Sequence, residues 1–333
     1  MTSFYNIMTN RKSLEYSYIV VGYGYDYYKY VYRQLDYFTN TFFVEDWPSS
    51  KMIRRVYNRL PLKRFWLAAY IRFLRRVAEK MHLNKENKIC FVLLAGGVNN
   101  VFLRHGLCAK IRDTFVNSKV VFFINDLVSR TNQPVLLMKE QADLVYSFDP
   151  NDCERYGLIY HVIPYSDFNF HVVNQPEYDV VFVGAAKDRL KDLLKIHSYL
   201  SGKGVKCGFI IIEVKDEDQV QAEGITYSER ITYEENLRLL QNGNCILDVI
   251  QGGSKGNTIR VGEAIIMGKK LLSNNTNIPN NGVYDEQYMR CFDKAEDIDV
   301  AFVLDRTPVS YEIKEHMYPT DLFANIEKTL ANE

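Results

Sequence analysis

The chain has 333 residues, of which 47% are hydrophobic and 25% are charged, a composition typical of a globular protein and unlike that of disordered, collagen-like or disulfide-rich chains. Its 41 Lys and Arg residues balance 41 Asp and Glu residues, so the formal net charge is zero and the chain as a whole is not a generic polyanion binder. At roughly 100–200 residues per domain, this length predicts two domains.

The cysteines are widely spaced, and none belongs to a Cys-x-x-Cys motif or to a Cys/His pair at zinc spacing. We interpret them as small buried hydrophobic residues of a reduced compartment and expect no metal site. The first residues lack the apolar core of a signal peptide, and no segment approaches the ~18 apolar residues of a membrane span. We therefore expect a cytoplasmic protein that does not cross a membrane. The cysteines are Cys90, Cys108, Cys153, Cys207, Cys245 and Cys291.

Short apolar segments rich in β-branched and aromatic residues alternate with helix-period segments along almost the whole chain, which is typical of βαβ units and mostly parallel sheets. Continuous apolar segments such as Val180-Val-Phe-Val183 indicate strands that are buried on both faces. The predicted strands are 18–22, 41–44, 89–94, 120–124, 144–147, 160–163, 179–183, 207–214, 245–249, 270–273 and 289–292.

Crossover helices are predicted over residues 188–200, 233–242 and 257–267; Thr232 opens a capping box, and Gly268 stands where a helix C-terminal glycine belongs. Turn-forming residues near 168–178 indicate a domain boundary. The sequence therefore predicts an α/β fold of two doubly wound, Rossmann-like domains that face each other across a cleft. Their expected limits are 1–172 and 173–307, and we expect the helical segment 308–333 to pack back toward the N-terminal domain.

Gly22 ends the first predicted strand and Gly24 comes two residues later, as the glycines of a dinucleotide-binding turn would. Tyr27 stands where that fingerprint needs a third small residue, and its bulk would obstruct close packing of helix on strand. We therefore favour a simple strand-to-helix turn at the rim of the cleft, where glycines let a ligand approach the backbone closely.

A first candidate anion site follows the strand that opens the second half. Gly184 ends this strand, and Lys187 and Arg189 come at the start of the next helix. Ligands of open α/β sheets bind beyond the carboxyl ends of strands, and helix N-termini favour anions. These residues are suited to a diphosphate, although Lys and Arg on a first helical turn are more often simply solvated.

A second and sharper candidate is the segment from Asp248 to Glu263, in which a strand is followed by a glycine-rich loop and then by a helix. Free N–H groups near Gly256, Asn257 and Thr258 suit a phosphate, and Glu263 is placed to accept hydrogen bonds from ribose hydroxyls. The alternative is an ordinary loop and amphipathic helix with Glu263 exposed to solvent.

Together these motifs resemble the nucleotide-sugar half of GT-B glycosyltransferases. The resemblance rests on the glycine-rich loop, Arg260-Val-Gly-Glu263-Ala, Gly268-Lys-Lys-Leu-Leu, and the earlier Tyr178-Asp-Val-Val-Phe-Val-Gly184 and Ile231-Thr-Tyr-Glu-Glu-Asn-Leu. It covers roughly residues 120–295. More narrowly, the chain is similar to the bacterial enzymes of capsule, O-antigen lipopolysaccharide and exopolysaccharide biosynthesis.

The resemblance implies a metal-independent glycosyltransferase without a cofactor, expected to transfer a hexose from a nucleoside diphosphate, with UDP favoured, to a glycan or lipid-linked acceptor. It implies that Glu263 holds the ribose, that the loop approaches the diphosphate, and that 230–233 lies along the base. The donor-binding residues expected are Gly184, Lys187, Arg189, Arg230, Ile231, Tyr233, Gly256, Asn257, Thr258, Arg260 and Glu263. On the acceptor side we expect Gly22, Tyr23 and Gly24 of the N-terminal, acceptor-binding domain, at the glycine turn described above.

One departure from the family bears on mechanism. Many retaining members carry a Glu-x7-Glu signature, but here Lys255 stands eight residues before Glu263. An inverting transfer needs a base on the acceptor side and cationic or N–H groups that stabilise the leaving diphosphate. Asp126, just past a predicted buried strand, is the preferred base, and His105 is the second candidate. The ordinary alternatives are a helix-capping Asp and a surface His.

Residues 51–80 contain ten Lys or Arg and one acidic residue, so a local charge of +9 is offset by −9 in the rest of the chain. Basic helices with interleaved aromatic residues are typical of anionic membrane surfaces, and we expect peripheral attachment at the inner face of the cytoplasmic membrane. A solvated helix packing its apolar face into the core is the alternative, and a nucleic-acid partner is disfavoured. The predicted surface residues are Arg54, Arg55, Arg59, Lys63, Arg64, Trp66, Arg72, Arg75 and Arg76.

Two other functions stay open at this point. One is a nucleotide-sugar epimerase built on the same two-domain frame, which would need carboxylates and histidines concentrated around the donor. The other is a non-catalytic nucleotide- or glycan-binding partner protein, in which a donor site persists without a base.

Overall fold

The computed structural model describes residues 14–23, 26–34, 40–45, 63–167 and 175–332, and over these ranges it contains two parallel sheets of six strands each. The first sheet consists of β1 (Ser17–Tyr23), β2 (Thr41–Glu45), β3 (Ile89–Leu94), β4 (Ser118–Ile124), β5 (Leu144–Ser147) and β6 (Ile159–Tyr160). The second consists of β7 (Tyr178–Ala185), β8 (Cys207–Ile212), β9 (Ile225–Ser228), β10 (Gly243–Asp248), β11 (Lys270–Ser273) and β12 (Met289–Cys291).

Helices pack on both faces of each sheet. In the first half they are α1 (Tyr28–Val31), α2 (Lys63–Lys80), α3 (Gly97–Leu103), α4 (Leu107–Thr114), α5 (Val128–Thr131), α6 (Val135–Gln141) and α7 (Pro150–Tyr156). In the second half they are α8 (Leu190–Gly202), α9 (Tyr233–Gln241), α10 (Ile259–Met267), α11 (Val300–Leu304) and α12 (Pro319–Leu330). The predicted α/β fold of two Rossmann-like domains is confirmed.

The strand orders are β2-β1-β3-β4-β5-β6 and β12-β11-β10-β7-β8-β9. In the first sheet β2 is added on one side of β1, and the later strands are added on the other side. In the second sheet β8 and β9 are added on one side of β7, and β10 to β12 on the other. Each sheet therefore has a topological switch point, at β1/β3 and at β7/β10. Ligands of such sheets bind outside the carboxyl ends of the strands at this point. The ends of β7 and β10 are therefore the place to look for a ligand site in the second domain.

Successive side chains along a strand point to opposite faces of the sheet, and in both sheets the two faces are covered by apolar clusters. In β1, Tyr18 and Val20 pack on one face and Ile19 and Val21 on the other, and all four are buried. The cluster that contains Tyr18 continues into the second domain and includes Val181 of β7. The two domains therefore share one continuous apolar interior.

The last helix, α12, lies against the first sheet. The rings of Tyr18 and Phe323 stack with centroids 4.1 Å apart, and the Tyr146 hydroxyl donates to Asn325 Oδ1 at 2.9 Å. No helix of the described ranges is long and apolar enough to span a membrane. The six cysteines are free thiols, and all but Cys291 are buried.

The observed strands differ from the predicted ones notably at β9 and at the end of β8. Strand β9 was not predicted, because its sequence Ile-Thr-Tyr-Ser is short, half-exposed and lies at a sheet edge. Strand β8 ends at Ile212 and not at Val214, because Glu213 has a left-handed backbone with φ of 61°. Both predicted helix ends hold: Thr232 accepts the N–H of Glu235, and Gly268 closes α10 with φ of 61°.

Candidate functional site

A cleft of about 400 Å³ lies between the domains, beyond the carboxyl ends of β4, β5, β7 and β10. This volume is in the range of small-molecule sites. The first domain lines it with Tyr27, Asn125, Asp126, Leu127, Arg130, Phe148 and Ile163. The second domain lines it with Lys187, Arg189, Tyr233, Asn236, Ile250, Gln251, Ser254, Thr258, Ile259 and Arg260.

The charges that line the cleft are unbalanced. Four are cationic, Arg130, Lys187, Arg189 and Arg260, and Asp126 is the single carboxylate among the lining residues. Burial, reinforced by the nearby Arg189 and Arg130 guanidinium groups, lowers the pKa of Lys187 from its ordinary value. Cations held this close together repel one another, so an anion bound among them would be strongly stabilised.

Arg189 joins the ends of the two central strands of the second sheet. Its guanidinium donates to the carbonyl of Ala185, at 2.6 Å, and to that of Val249. Its Nε is buried and has no hydrogen-bond partner in the described part of the chain. An unpaired buried donor costs free energy of folding, so this nitrogen is an unsatisfied polar group beside the cleft.

Glu263 lies behind the cleft wall and not in it. The side chain is fully buried, and its carboxylate accepts from the Tyr233 hydroxyl at 2.6 Å and from Asn236 Nδ2 at 3.3 Å. Arg260 pairs with its other oxygen and also donates to the Val183 carbonyl. A ribose would reach Glu263 only if Tyr233 or Arg260 moved aside. The alternative that left Glu263 in solvent is wrong, because residues 261–267 of α10 are all buried.

The glycine-rich loop contributes Thr258 to the cleft, but Gly256 and Asn257 do not line it. Thr258 caps α10 by accepting the Arg260 N–H, and its hydroxyl donates to Asp248 Oδ1 at 2.9 Å. The Gly256 N–H donates to Asp149 of the first domain at 2.9 Å. Asn257 is buried, with its Oδ1 bonded to Asn281.

The other predicted donor residues are placed as follows. Gly184 lies against Arg260, since a Cβ there would be 3.6 Å from Arg260 Nη2. Arg230 is exposed and pairs with Glu213, and Ile231 packs against the core, so neither lines the cleft. Of the segment 230–233, Tyr233 alone is a lining residue.

The two candidate bases are separated. Asp126 lines the cleft, is exposed, and accepts the N–H of Leu127 at 2.8 Å. His105 is exposed between α3 and α4 and is not a lining residue. Gly22 has φ of 124° beside the first sheet's switch point, whereas the Tyr23 side chain and Gly24 lie outside the described residues.

Arg130 is a cleft residue that the sequence did not reveal. It comes from α5 of the first domain, and its Nη2 donates to the carbonyl of Gly252 in the glycine-rich loop at 2.9 Å. It also lies 3.6 Å from Asp188. The only signal in the sequence is its position four residues after Asp126, which places both at the same strand end.

Helix α2, which contains the described part of the basic segment 51–80, has one buried apolar face and one exposed basic face. Leu67, Ile71 and Leu74 are buried against the first sheet, whereas Phe65 is 66% exposed. Trp66 is half-buried, and Lys63 lies at the helix start. The exposed arginines of this helix are Arg64, Arg72, Arg75 and Arg76. Arg54, Arg55 and Arg59 lie outside the described residues.

No protein-family model matches the chain, and no curated protein matches its sequence. Its structure is similar to that of TarM, at 13% identity and a TM-score of 0.53, covering 80% of this chain and 58% of TarM. It is also similar to an α-glucosyltransferase in complex with UDP-glucose and DNA containing an abasic site, at 11% identity and a TM-score of 0.52, covering 77% and 83% of the two chains.

A third similar structure is a UDP-GlcNAc 2-epimerase from Neisseria meningitidis bound to UDP-GlcNAc, at 11% identity and a TM-score of 0.50. The match covers 95% of this chain and 100% of the epimerase. The chain spans less than two thirds of the length of TarM. At these identities the likeness shows the fold: two Rossmann-like domains around a cleft. It is the GT-B fold, which glycosyltransferases and an epimerase both use.

Proposed function

We propose that the protein is a glycosyltransferase that takes a sugar from a nucleoside diphosphate bound in the interdomain cleft. The observation that carries this proposal is the set of four cations, Arg130, Lys187, Arg189 and Arg260, around a cavity of about 400 Å³. Arg260 is paired with Glu263 and Arg130 lies 3.6 Å from Asp188, whereas Lys187 and Arg189 have no carboxylate ion pair among the described residues. A diphosphate would supply the negative charge that these two residues lack. Two of the similar structures hold UDP-glucose or UDP-GlcNAc, which favours a uridine diphosphate donor.

The two walls of the cleft are suited to the two halves of an inverting displacement. Asp126, from the first domain, accepts the proton of the acceptor hydroxyl as that oxygen bonds to the anomeric carbon. The bond from the anomeric carbon to the diphosphate breaks, and its electron pair stays on the phosphate oxygen. Lys187, Arg189 and Arg260 of the second domain stabilise this charge, and we propose that no metal is needed.

Two measurements test the two parts of this proposal: the thermal shift tests the nucleotide site, and sugar transfer tests Asp126 as the base. We expect UDP to raise the melting temperature more than GDP, dTDP or CMP. Asp126→Asn should retain this shift but lose transfer from UDP-sugars by about 100-fold or more. Asp113→Asn, an exposed carboxylate on α4 of the same domain, is the matched control and should behave as the wild type. The absence of a shift with every nucleotide would contradict the proposal.

The epimerase is the second candidate because its structure matches almost the whole chain. Epimerisation needs groups that move protons on the sugar itself, and Asp126 is the one carboxylate, with no histidine, among the described residues that line the cleft. This set favours transfer. Incubation with UDP-GlcNAc alone distinguishes the two, because an isomerised nucleotide sugar would form without an acceptor only if the protein is an epimerase.

We further propose that the acceptor is a bacterial surface glycan, lipid-linked, and that the protein works at the inner face of the cytoplasmic membrane. The exposed arginines of α2 together with Phe65 support this placement. Arg72→Gln/Arg75→Gln/Arg76→Gln should lose co-sedimentation with phosphatidylglycerol liposomes at low salt. DNA retention by the wild type without liposome binding would reassign this face to a nucleic acid acceptor.

A further inference from the structure

Asp149 belongs to the first domain but bonds to both domains. It lies between β5 and α7 and is fully buried. Its Oδ1 caps α7 by accepting the N–H groups of Asn151 and Asp152, at 3.0 and 3.2 Å. Its Oδ2 accepts three donors from the glycine-rich loop of the second domain: the Lys255 and Gly256 N–H groups, at 2.8 and 2.9 Å, and the Ser254 hydroxyl, at 3.3 Å.

The loop is packed too closely on the first domain for another group to fit between them. A Cβ on Gly256 would lie 2.5 Å from both the ring and the carbonyl oxygen of Phe148. Glycine is therefore required by proximity at this position. Phe148 precedes Asp149 and lines the cleft, so the contact forms one edge of the ligand cavity.

The same loop is held from its other side by amides of the second domain. The carbonyl of Lys255 accepts from Asn281 Nδ2 at 3.0 Å and from Asn277 Nδ2 at 3.2 Å. Asn275 Nδ2 donates to the carbonyl of Gly256 at 3.0 Å. The N–H groups of this short segment thus point to the first domain and its carbonyls to the second.

Successive backbone N–H groups in a glycine-rich loop attract an anion, and here the anion is supplied by the protein itself. Asp149 receives five hydrogen bonds from neutral donors, which stabilise a buried carboxylate. Because the Lys255 and Gly256 amides are occupied, the diphosphate of the proposed function is left to the cations and to the Thr258 end of the loop.

We propose that Asp149 is a positioning residue that ties the two domains together and holds the glycine-rich loop so that Ser254 and Thr258 face the cleft. Its part in donor binding rests on the proposed function, but its part as an interdomain tie does not. Other bonds also join the domains: Arg130 bonds the same loop at Gly252, and Asp26 of the first domain accepts the Tyr233 N–H at 2.8 Å. Both of these bonds are exposed, so water competes with them, whereas Asp149 is buried.

Asp149→Ser tests the tie separately from the helix cap. Serine is a good capping residue and should keep α7, but its single, shorter oxygen cannot also accept the loop amides. In the full-length protein without nucleotide, we expect amide hydrogen exchange of the segment 254–257 to become faster by about tenfold or more. Gly256→Ala should loosen the same segment by colliding with Phe148 of the first domain, without altering the cap.

Asp152→Asn is the matched control. Asp152 is also a buried carboxylate on α7, but it accepts the Val128 N–H within the first domain, so exchange of 254–257 should stay unchanged. Unchanged exchange of that segment in Asp149→Ser would overturn the proposal, whatever Gly256→Ala does. So would an equal effect of Asp152→Asn, since the loosening would then be a general loss of stability.

A second readout connects the tie to donor binding. If the loop positions the donor, Asp149→Ser should raise the KM for the nucleotide sugar by about tenfold and change kcat by less than about threefold. A protein that bound no nucleotide sugar would refute the proposed function while its exchange data still measured the tie. Faster exchange with an unchanged KM would overturn the positioning of the donor.

Discussion

The ion pair of Arg260 and Glu263 should hold the second domain together as well as shape the cleft. Glu263 has no exposed side-chain surface, and Arg260 is 15% exposed. Removing one partner of a buried pair leaves an uncompensated charge, which costs about 3–5 kcal/mol in the free energy of unfolding. The perturbation we choose is Arg260→Gln, alone and together with Glu263→Gln.

The neighbours of each group determine where in this range the cost falls. Without Arg260, Glu263 keeps the Tyr233 hydroxyl and Asn236 as neutral donors, so Arg260→Gln should cost about 3 kcal/mol. Without Glu263, the guanidinium keeps the Val183 carbonyl and Asn236 Oδ1, so Glu263→Gln should also cost about 3 kcal/mol, at the low end of the range. The double variant buries no charge, and its cost should be smaller than that of the two single variants combined by about 2 kcal/mol.

Urea unfolding of the four proteins measures this coupling. The exposed pair of Arg75 and Glu79 on α2 is the control, and its coupling should be no more than about 0.5 kcal/mol. Additive costs at Arg260 and Glu263 would refute the reasoning, because they would mean that the two charges do not compensate each other in the folded protein. The double variant should also fail to show the thermal shift with UDP, since Arg260 lines the cleft.

Three further predictions follow from single residues. Burial and neighbouring guanidinium groups lower the pKa of Lys187, so this side chain loses its charge, and UDP binding measured by calorimetry weakens, as the pH is raised into the alkaline range. In Lys187→Arg the side chain stays charged, so binding should weaken only at a higher pH. Identical pH profiles of the two proteins would contradict this. Burial, with Arg306, lowers the pKa of Lys269 to about 8, so the folded protein loses this proton before the unfolded chain does. Its stability to urea should therefore rise from about pH 8 to about 10.5, and Lys269→Met should abolish this rise. Gly22→Ala places a Cβ 2.9 Å from Leu94 at φ of 124° and should cost about 2 kcal/mol in unfolding free energy; a cost near zero would show that the turn relaxes.

The fold was predictable because its signals are local. Strands β3 and β4 are almost wholly buried and read as continuous apolar segments, and Thr232 and Gly268 mark helix ends through bonds within their own turn. Edge strand β9 was not predicted because its four residues are partly exposed and do not form a continuous apolar segment.

The site was less predictable because its contacts join distant parts of the chain. Asp149 followed by Pro150 indicates a helix cap, and two of the five hydrogen bonds that its side chain accepts do form one. Its other oxygen bonds residues more than 100 positions away, which no local pattern encodes. For the same reason Arg130 was missed, and Glu263 was expected to be accessible although Arg260 and Tyr233 cover it.

The return of α12 to the first sheet has a mechanical consequence. The chain passes between the domains twice, before β7 and again before α12, and the Tyr165 N–H of the first passage donates to the Met317 carbonyl of the second at 2.6 Å. This bond joins the two connections to each other beside the first domain. Opening of the cleft would therefore have to bend both connections together or break this bond, so the bond is expected to oppose separation of the two domains.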